Sequence, residues 1–569
     1  MIKGWHRDEV LGLENFPTGG ADMLERLKQI AGLIGTMSRA RLIAPLRPDR
    51  YARMAAAVRR AGMNATSGFA IAAQRCPDRP GLIDELGTLT WRELDEDGDA
   101  LAAALQTLPG GPPKVVGIMA RNHRGFVEPL IAANRIGADV LLLNTSFAGP
   151  ALAEVVAREK VDAVIYDEEF ASSIDQAVKD RPQASRIVAW TDDPGSHGVT
   201  IASLVDAHRG QRPAQAARDS KMILLTSGTT GSPKGAKHSG GGADALKSIL
   251  DRTPWRAEQT TVIAAPMFHA WGFGQLGIAA LLACTIVTRR KFDPEATLAL
   301  VDEHRATGLS VVPVMFDRIV DLPDDVLAKY SGRSLRFAAA SGSRMRPDVV
   351  TKFMDRFGDV IYNNYNATEA GMIATATPAD LRVAPDTAGR PAVGTEVRIL
   401  DADFRELPTG EVGTIYVRNS TQFDGYTEGS SDKGKAFHAG FMSSGDVGYL
   451  DAAGRLFVVG RDDEMIVSGG ENVYPIEVEK TLATHAAVTE AAVLGVDDDQ
   501  YGQRLVAFVV LTDGAATTAD DLKAHVRENL ANYKVPRAIT VLDELPRGST
   551  GKIVRRELHA LVEPTTGAP

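Results

Sequence analysis

The apolar run Met222-Ile-Leu-Leu225 leads without a break into Thr226-Ser-Gly-Thr-Thr-Gly-Ser-Pro-Lys-Gly235. A strand that ends in such a loop is built to hold an anion. Glycine lets backbone N–H groups approach oxygens with no Cβ in the way, the hydroxyls add donors, and a lysine adds a mobile charge. We read Thr226, Ser227, Gly228, Thr229, Thr230, Gly231 and Lys234 as a polyphosphate cradle; a surface turn of the same composition is the alternative. A Walker-type loop needs Ser or Thr directly after its Gly-Lys pair. Gly235 follows Lys234, so that pattern fails.

The 569 residues exceed what one hydrophobic core usually supports. Up to about residue 460, strand-like runs such as Val115-Val-Gly-Ile118, Val140-Leu-Leu-Leu143, Ala163-Val-Ile-Tyr166, Val262-Ile-Ala-Ala265 and Leu309-Ser-Val-Val312 alternate with helical patterns. That alternation predicts an α/β class with layered, largely parallel sheets. After Ala388-Gly-Arg390 shorter strands with Gly and Asp turns predict a β-rich subdomain, and past Asp463 comes a small α+β segment. The expected domains are an extension (1–64), a large domain (65–462) and a small C-terminal domain (463–569). The apolar stretch from Ala270 to Val287 is Gly- and Ala-rich and reads as a buried helix plus strand rather than a membrane span.

A net charge of −10 argues against broad nucleic-acid binding. The two cysteines, Cys76 and Cys284, cannot build a disulfide framework and lack metal-ligand spacing, so both are expected as buried or bystander thiols. The N-terminus lacks the pattern of a secretory signal, and a cytoplasmic protein is expected. The extension is basic between residues 26 and 60, with Asp49 its only acid there. Two helices flanking Pro45 and Pro48, packed on the main domain with a solvated basic face, are one expectation. Peripheral contact with the inner face of an anionic membrane through residues 26–60 is the other.

Four further segments accompany the cradle: Tyr365-Asn-Ala-Thr-Glu369, Ser444-Gly-Asp446, Gly460-Arg-Asp-Asp463 and Pro546-Arg-Gly-Ser-Thr-Gly-Lys552. In this order they resemble the motifs of the adenylate-forming superfamily of acyl-CoA synthetases, luciferases and peptide-synthetase adenylation domains. The resemblance spans roughly residues 65 to 560. It implies that a carboxylate attacks the α-phosphate of ATP, pyrophosphate leaves, and coenzyme A then takes the acyl group and releases AMP. It places Mg²⁺ on Glu369 and Thr226, the α-phosphate near Thr368, and adenine against Tyr365 and Asn364 beside Ser341-Gly342-Ser343. The ribose falls to Asp446 and Arg461. Lys552 bridges the attacking carboxylate and the phosphate, Asp463 is the hinge on which the small domain turns, and Gly469 and Gly470 line a pantetheine tunnel. Asn366 stands where the family more often has Gly, and Asn tolerates the same backbone.

The segment Pro266-Met-Phe-His-Ala-Trp271 resembles the family's acid pocket. His269 stands where amino-acid-activating relatives commonly carry Asp, which disfavours an amino-acid substrate; a core histidine is the alternative. Trp271 and Gly272 onward suggest an acyl tunnel most like that of fatty-acyl-CoA synthetases. The expected partners are therefore a medium- or long-chain fatty acid, ATP and coenzyme A, with a homodimer left open and no nucleic acid. An aryl or short-chain acyl-CoA ligase, a fatty-acyl-AMP ligase and an inactive acyl- or nucleotide-binding paralogue remain as alternatives.

Overall fold

The computed structural model describes residues 31–562 apart from 44–45, 62–63, 65, 148, 194–197, 227–233, 238–241, 368–369, 420–424, 427–436, 462–463, 469–470, 499–501 and 549–550. The side chains of Thr226 and Lys234 also lie outside the described set. Among the described residues no helix is long and apolar enough to cross a membrane.

The large domain is layered α/β, as its alternating pattern predicts. One sheet runs in the order Gly425–Tyr426, Lys234–Lys237, Met222–Thr226, Asp139–Leu142, Val115–Met119, Ala163–Asp167, Ser185–Trp190, parallel except at its first two strands. A second has a parallel centre of Ile361–Ala367, Phe337–Ser341, Gly308–Val311, Thr260–Ile263, Thr285–Thr288 and Pro80–Asp84, with antiparallel strands at both edges. Helices cover the sheet faces, so the central strands are buried on both sides and their sequences are almost continuously apolar. One core joins the two sheets: Ile118 and Val140 of the first pack in the same cluster as Ile263 and Ile286 of the second. The stretch Ala270–Val287 is, as expected, a helix, Ala270–Leu281, followed by the strand Thr285–Thr288.

Beyond Gly389 an antiparallel sheet of Glu396–Leu400, Gly413–Arg418, Phe441–Leu450 and Leu456–Arg461 closes the large domain. The small domain has its own sheet, centred on the long antiparallel pair Val488–Asp498 and Gly502–Leu511, with the helices Pro475–Ala483 and Ala519–Asn529 packed on it.

The extension is packed against the large domain. Thr36 and Arg39 bond to Asp251, and the carbonyls of Arg41 and Leu42 accept from the guanidinium of Arg75, at 3.0 and 2.8 Å. Arg50 donates to the carbonyl of Arg75, while Arg47 and Arg53 both pair with Asp49. These contacts match the packed-helix alternative, because several of the basic groups already have partners.

Candidate active site

The expected cradle follows the strand Met222–Thr226, and the chain returns antiparallel through Lys234–Lys237 with Thr226 opposite Lys234. Its interior, Ser227 to Gly231, lies outside the described residues, as do Thr368, Glu369, Asp463, Gly469 and Gly470. The Mg²⁺ donors expected at Glu369 and Thr226 therefore have no described geometry. Among the described residues there is no group of three or more His, Cys, Asp or Glu that could hold a metal.

Downstream of that gap, several residues that the motifs assign to the nucleotide are described. Ser341 ends one parallel strand and stands in register with Asn364 on the next. Gly342 follows at φ +107°, and a Cβ there would meet no atom within 4 Å, so its backbone faces open space. The Asn364 side chain is buried, and its amide oxygen accepts from Thr375 Oγ1 at 3.0 Å, which ties it to the neighbouring strand.

Asp446 and Arg461 are cross-strand partners in the closing sheet. The backbone N–H of Asp446 donates to Ser444 Oγ at 3.1 Å, and Ser444 in turn donates to the carbonyl of Ile415 at 3.0 Å. The phenol of Tyr365 donates to the Asp446 carboxylate. Burial, and then the charge of Asp446, holds that phenol well above its usual pKa, so it stays a donor at every working pH. The sequence motifs place both residues at the nucleotide but do not reveal that they bond to each other.

On the acid side, a buried residue that the sequence pattern did not mark fixes the segment carrying His269. Asn122 follows the strand Val115–Met119 of the first sheet and reaches across to the second. Its Nδ2 donates to the carbonyl of Ala265 at 2.8 Å and its Oδ1 accepts from the N–H of Met267 at 2.9 Å. His269 then stands at the N-cap position of the helix Ala270–Leu281, without a side-chain capping bond. Burial, aided by the charge of Lys552, pushes the His269 imidazole down to about 4. The charge of Lys552, from the small domain, thus acts in the same direction as burial, and His269 is neutral near pH 7.

Trp271 and Gly272, the expected acyl-pocket residues, are both held closely by the surrounding fold. The Trp271 indole donates to the carbonyl of Val311 at 2.8 Å and packs between the two main cores, which fixes its ring. A Cβ on Gly272 would stand 2.2 Å from the carbonyl oxygen of Pro266, so this glycine permits a close backbone approach. The open face of the helix lies instead at Gly274 and Gly277, where an added Cβ would meet nothing within 4 Å.

Comparison with known proteins places this geometry in context. Residues 69–427 match the AMP-binding enzyme family and residues 477–552 match the AMP-binding enzyme C-terminal domain. A feruloyl-CoA synthase from Amycolatopsis is 31% identical over 83% of this chain and 93% of its own length. An indoleacetate–CoA ligase from Aromatoleum aromaticum is also 31% identical, with the same coverage of each chain. The crystal structure of a benzoate CoA ligase from Burkholderia xenovorans superposes with a TM-score of 0.75 at 26% identity, covering 87% of this chain and all of that one.

Proposed function

The chain belongs to the AMP-binding enzyme family, and we propose that it activates a ring-bearing carboxylic acid as its acyl-adenylate and then transfers the acyl group to coenzyme A. The carboxylate oxygen attacks the α-phosphorus of ATP and pyrophosphate departs; the thiol sulfur of coenzyme A then attacks the acyl carbon, loses its proton, and AMP leaves. Two anions must meet in the first step, so the protein has chiefly to supply placed positive charge and donors. The observation that supports this chemistry is the seating of the small domain's lysine loop on the large domain, where Gly551, next to Lys552, lies against Val314. Neutral His269 offers a hydrogen bond to the acid without adding charge. Asp446, oriented by Ser444 and Tyr365, is the acceptor for ribose hydroxyls, with Arg461 beside it. ATP enters as its magnesium complex, for which Glu369 and Thr226 are the proposed oxygen donors.

A ring acid is favoured over the fatty acid that the acid-pocket resemblance implies. The similar proteins named above act on ferulate, indoleacetate and benzoate. The bare backbone at Gly274 and Gly277 gives a flat ring a surface with no side chain to displace. The test is coenzyme A-dependent AMP formation across ferulate, indole-3-acetate, 2-succinylbenzoate, benzoate, decanoate and palmitate. At least tenfold higher kcat/KM for one of the ring acids supports the proposal; preference for palmitate or decanoate returns the fatty-acid alternative.

A further inference from the structure

The helix Pro313–Val320 of the large domain lies under the lysine loop of the small one. A Cβ on Gly551, which sits at φ +76°, would stand 2.3 Å from Val314 Cγ1, so the residue before Lys552 is pressed onto Val314. The loop is braced from behind. Arg547 donates to the carbonyl of Gly551 at 2.5 Å and pairs with Glu490 at 2.9 Å, and the N–H of Gly548 donates to the carbonyl of Lys552 at 2.8 Å. One turn along the helix from Val314 is Asp317. Its Oδ1 is closed off from solvent and has no hydrogen-bond partner among the described residues. Few native side chains leave a carboxylate oxygen in that condition, and a proton on it is the simplest remedy.

We propose that this helix is the seat that sets the adenylating orientation, with Val314 receiving Gly551 and Asp317 taking up a proton when the small domain docks. The inference rests on Lys552 being the adenylating lysine. The charged groups around Asp317 are Arg346 and Asp321 of the large domain and Glu490 and Arg547 of the small one. Burial first, with Glu490 and Asp321 assisting, pushes its carboxyl up to about 6 against the two arginines. Undocking removes the cover, Glu490 and Arg547 together and returns the carboxyl toward its ordinary 3.8. The docked form holds the proton more tightly, so its advantage is complete below about 3.8 and is lost as pH rises through about 6. His269 works in the opposite sense, because burial first and then the charge of Lys552 push its imidazole down from 6.5 to about 4. Comparing Asp317→Asn with the parent at each pH cancels that contribution.

The experiment uses the full chain without acid, ATP or coenzyme A. Spin labels are placed on Asp325→Cys and Asp543→Cys, both exposed, one on each domain. Cys76 and Cys284 are buried, with thiols pushed up to about 11 and 12, and do not compete for the label. Relative to Asp317→Asn, the ratio of short to long inter-label distances in the parent is expected to fall by up to about tenfold between pH 5 and 7. Val314→Phe is expected to deplete the short distance at every pH, since its ring occupies the space of Gly551. Equal pH dependence in the parent and Asp317→Asn, or an unchanged distribution in Val314→Phe, overturns the proposal. No substrate is present, so an enzyme that fails the acid panel yet shows this linkage would refute the proposed function and leave the docking seat standing.

Discussion

The phenol of Tyr365 donates to the carboxylate of Asp446, tying the strand Ile361–Ala367 to the strand Phe441–Leu450, whose Asp446 is the proposed ribose acceptor. A hydrogen bond to a charged group contributes about 1.5–3 kcal/mol. Tyr365→Phe keeps the aromatic face and loses the bond. It is expected to raise the KM for ATP several-fold and leave the KM for the acid unchanged. Initial rates with each substrate varied in turn are the check; equal changes in both constants would mean that the pair only supports the fold.

His269 is neutral in the folded protein well below the pH at which a free imidazole charges. Its proton is bound more tightly by the unfolded chain, so its presence costs stability as pH falls from 6.5 toward about 4 and costs nothing above. His269→Gln is expected to match the parent in denaturant midpoint at pH 7.5 and to gain on it at pH 5. A gap that stays constant with pH would show that the imidazole does not titrate between the two states.

Asn122 is expected to act on the acid through the Ala265–Met267 bend. Asn122→Asp preserves shape but turns a donor into an oxygen facing the carbonyl of Ala265. The KM for the acid should rise tenfold or more, with the KM for ATP held within about twofold, because unsatisfied buried groups cost about 1–3 kcal/mol. A parallel rise in both would reduce Asn122 to a general packing residue.

Removing residues 1–60 takes away two of the three acceptors of a buried cation. Arg75 is 1% exposed and would keep only Glu258 among its side-chain partners. The loss is expected to be on the order of 3 kcal/mol, the scale for stripping partners from a buried charge. Chemical denaturation measures it; an unchanged midpoint would mean that the extension is a free appendage after all.

The parallel strands were legible because a strand buried on both faces needs an unbroken apolar run, and the small domain's helix Pro475–Ala483 because proline suits a first turn. The motifs single out Ser341, Tyr365, Asp446, Arg461 and Lys552 as candidates. What escaped depends on partners far away in the chain. Nothing near Asn122 announces the carbonyl of Ala265, and nothing near Val314 announces Gly551. Asn364 adjoins Tyr365, yet alternation along a strand sends neighbouring side chains to opposite faces, and its bond to Thr375 on the next strand has no signal in the sequence. Trp271 and Gly272 drew attention by their chemistry, whereas the open face is set by helical spacing and lies at Gly274 and Gly277.

The most direct test of the central claim separates the two half-reactions in Lys552→Ala, using the acid that the panel ranks first. Pyrophosphate release with ATP and that acid, before coenzyme A is added, should fall by a factor on the order of 10²–10³, the usual effect of losing one transition-state charge stabiliser. The same variant, given the synthetic acyl-adenylate of that acid and coenzyme A, should form the thioester at close to the parent rate. Pyrophosphate release at the parent rate, or an equal loss in both half-reactions, would contradict the assignment of Lys552 to adenylate formation.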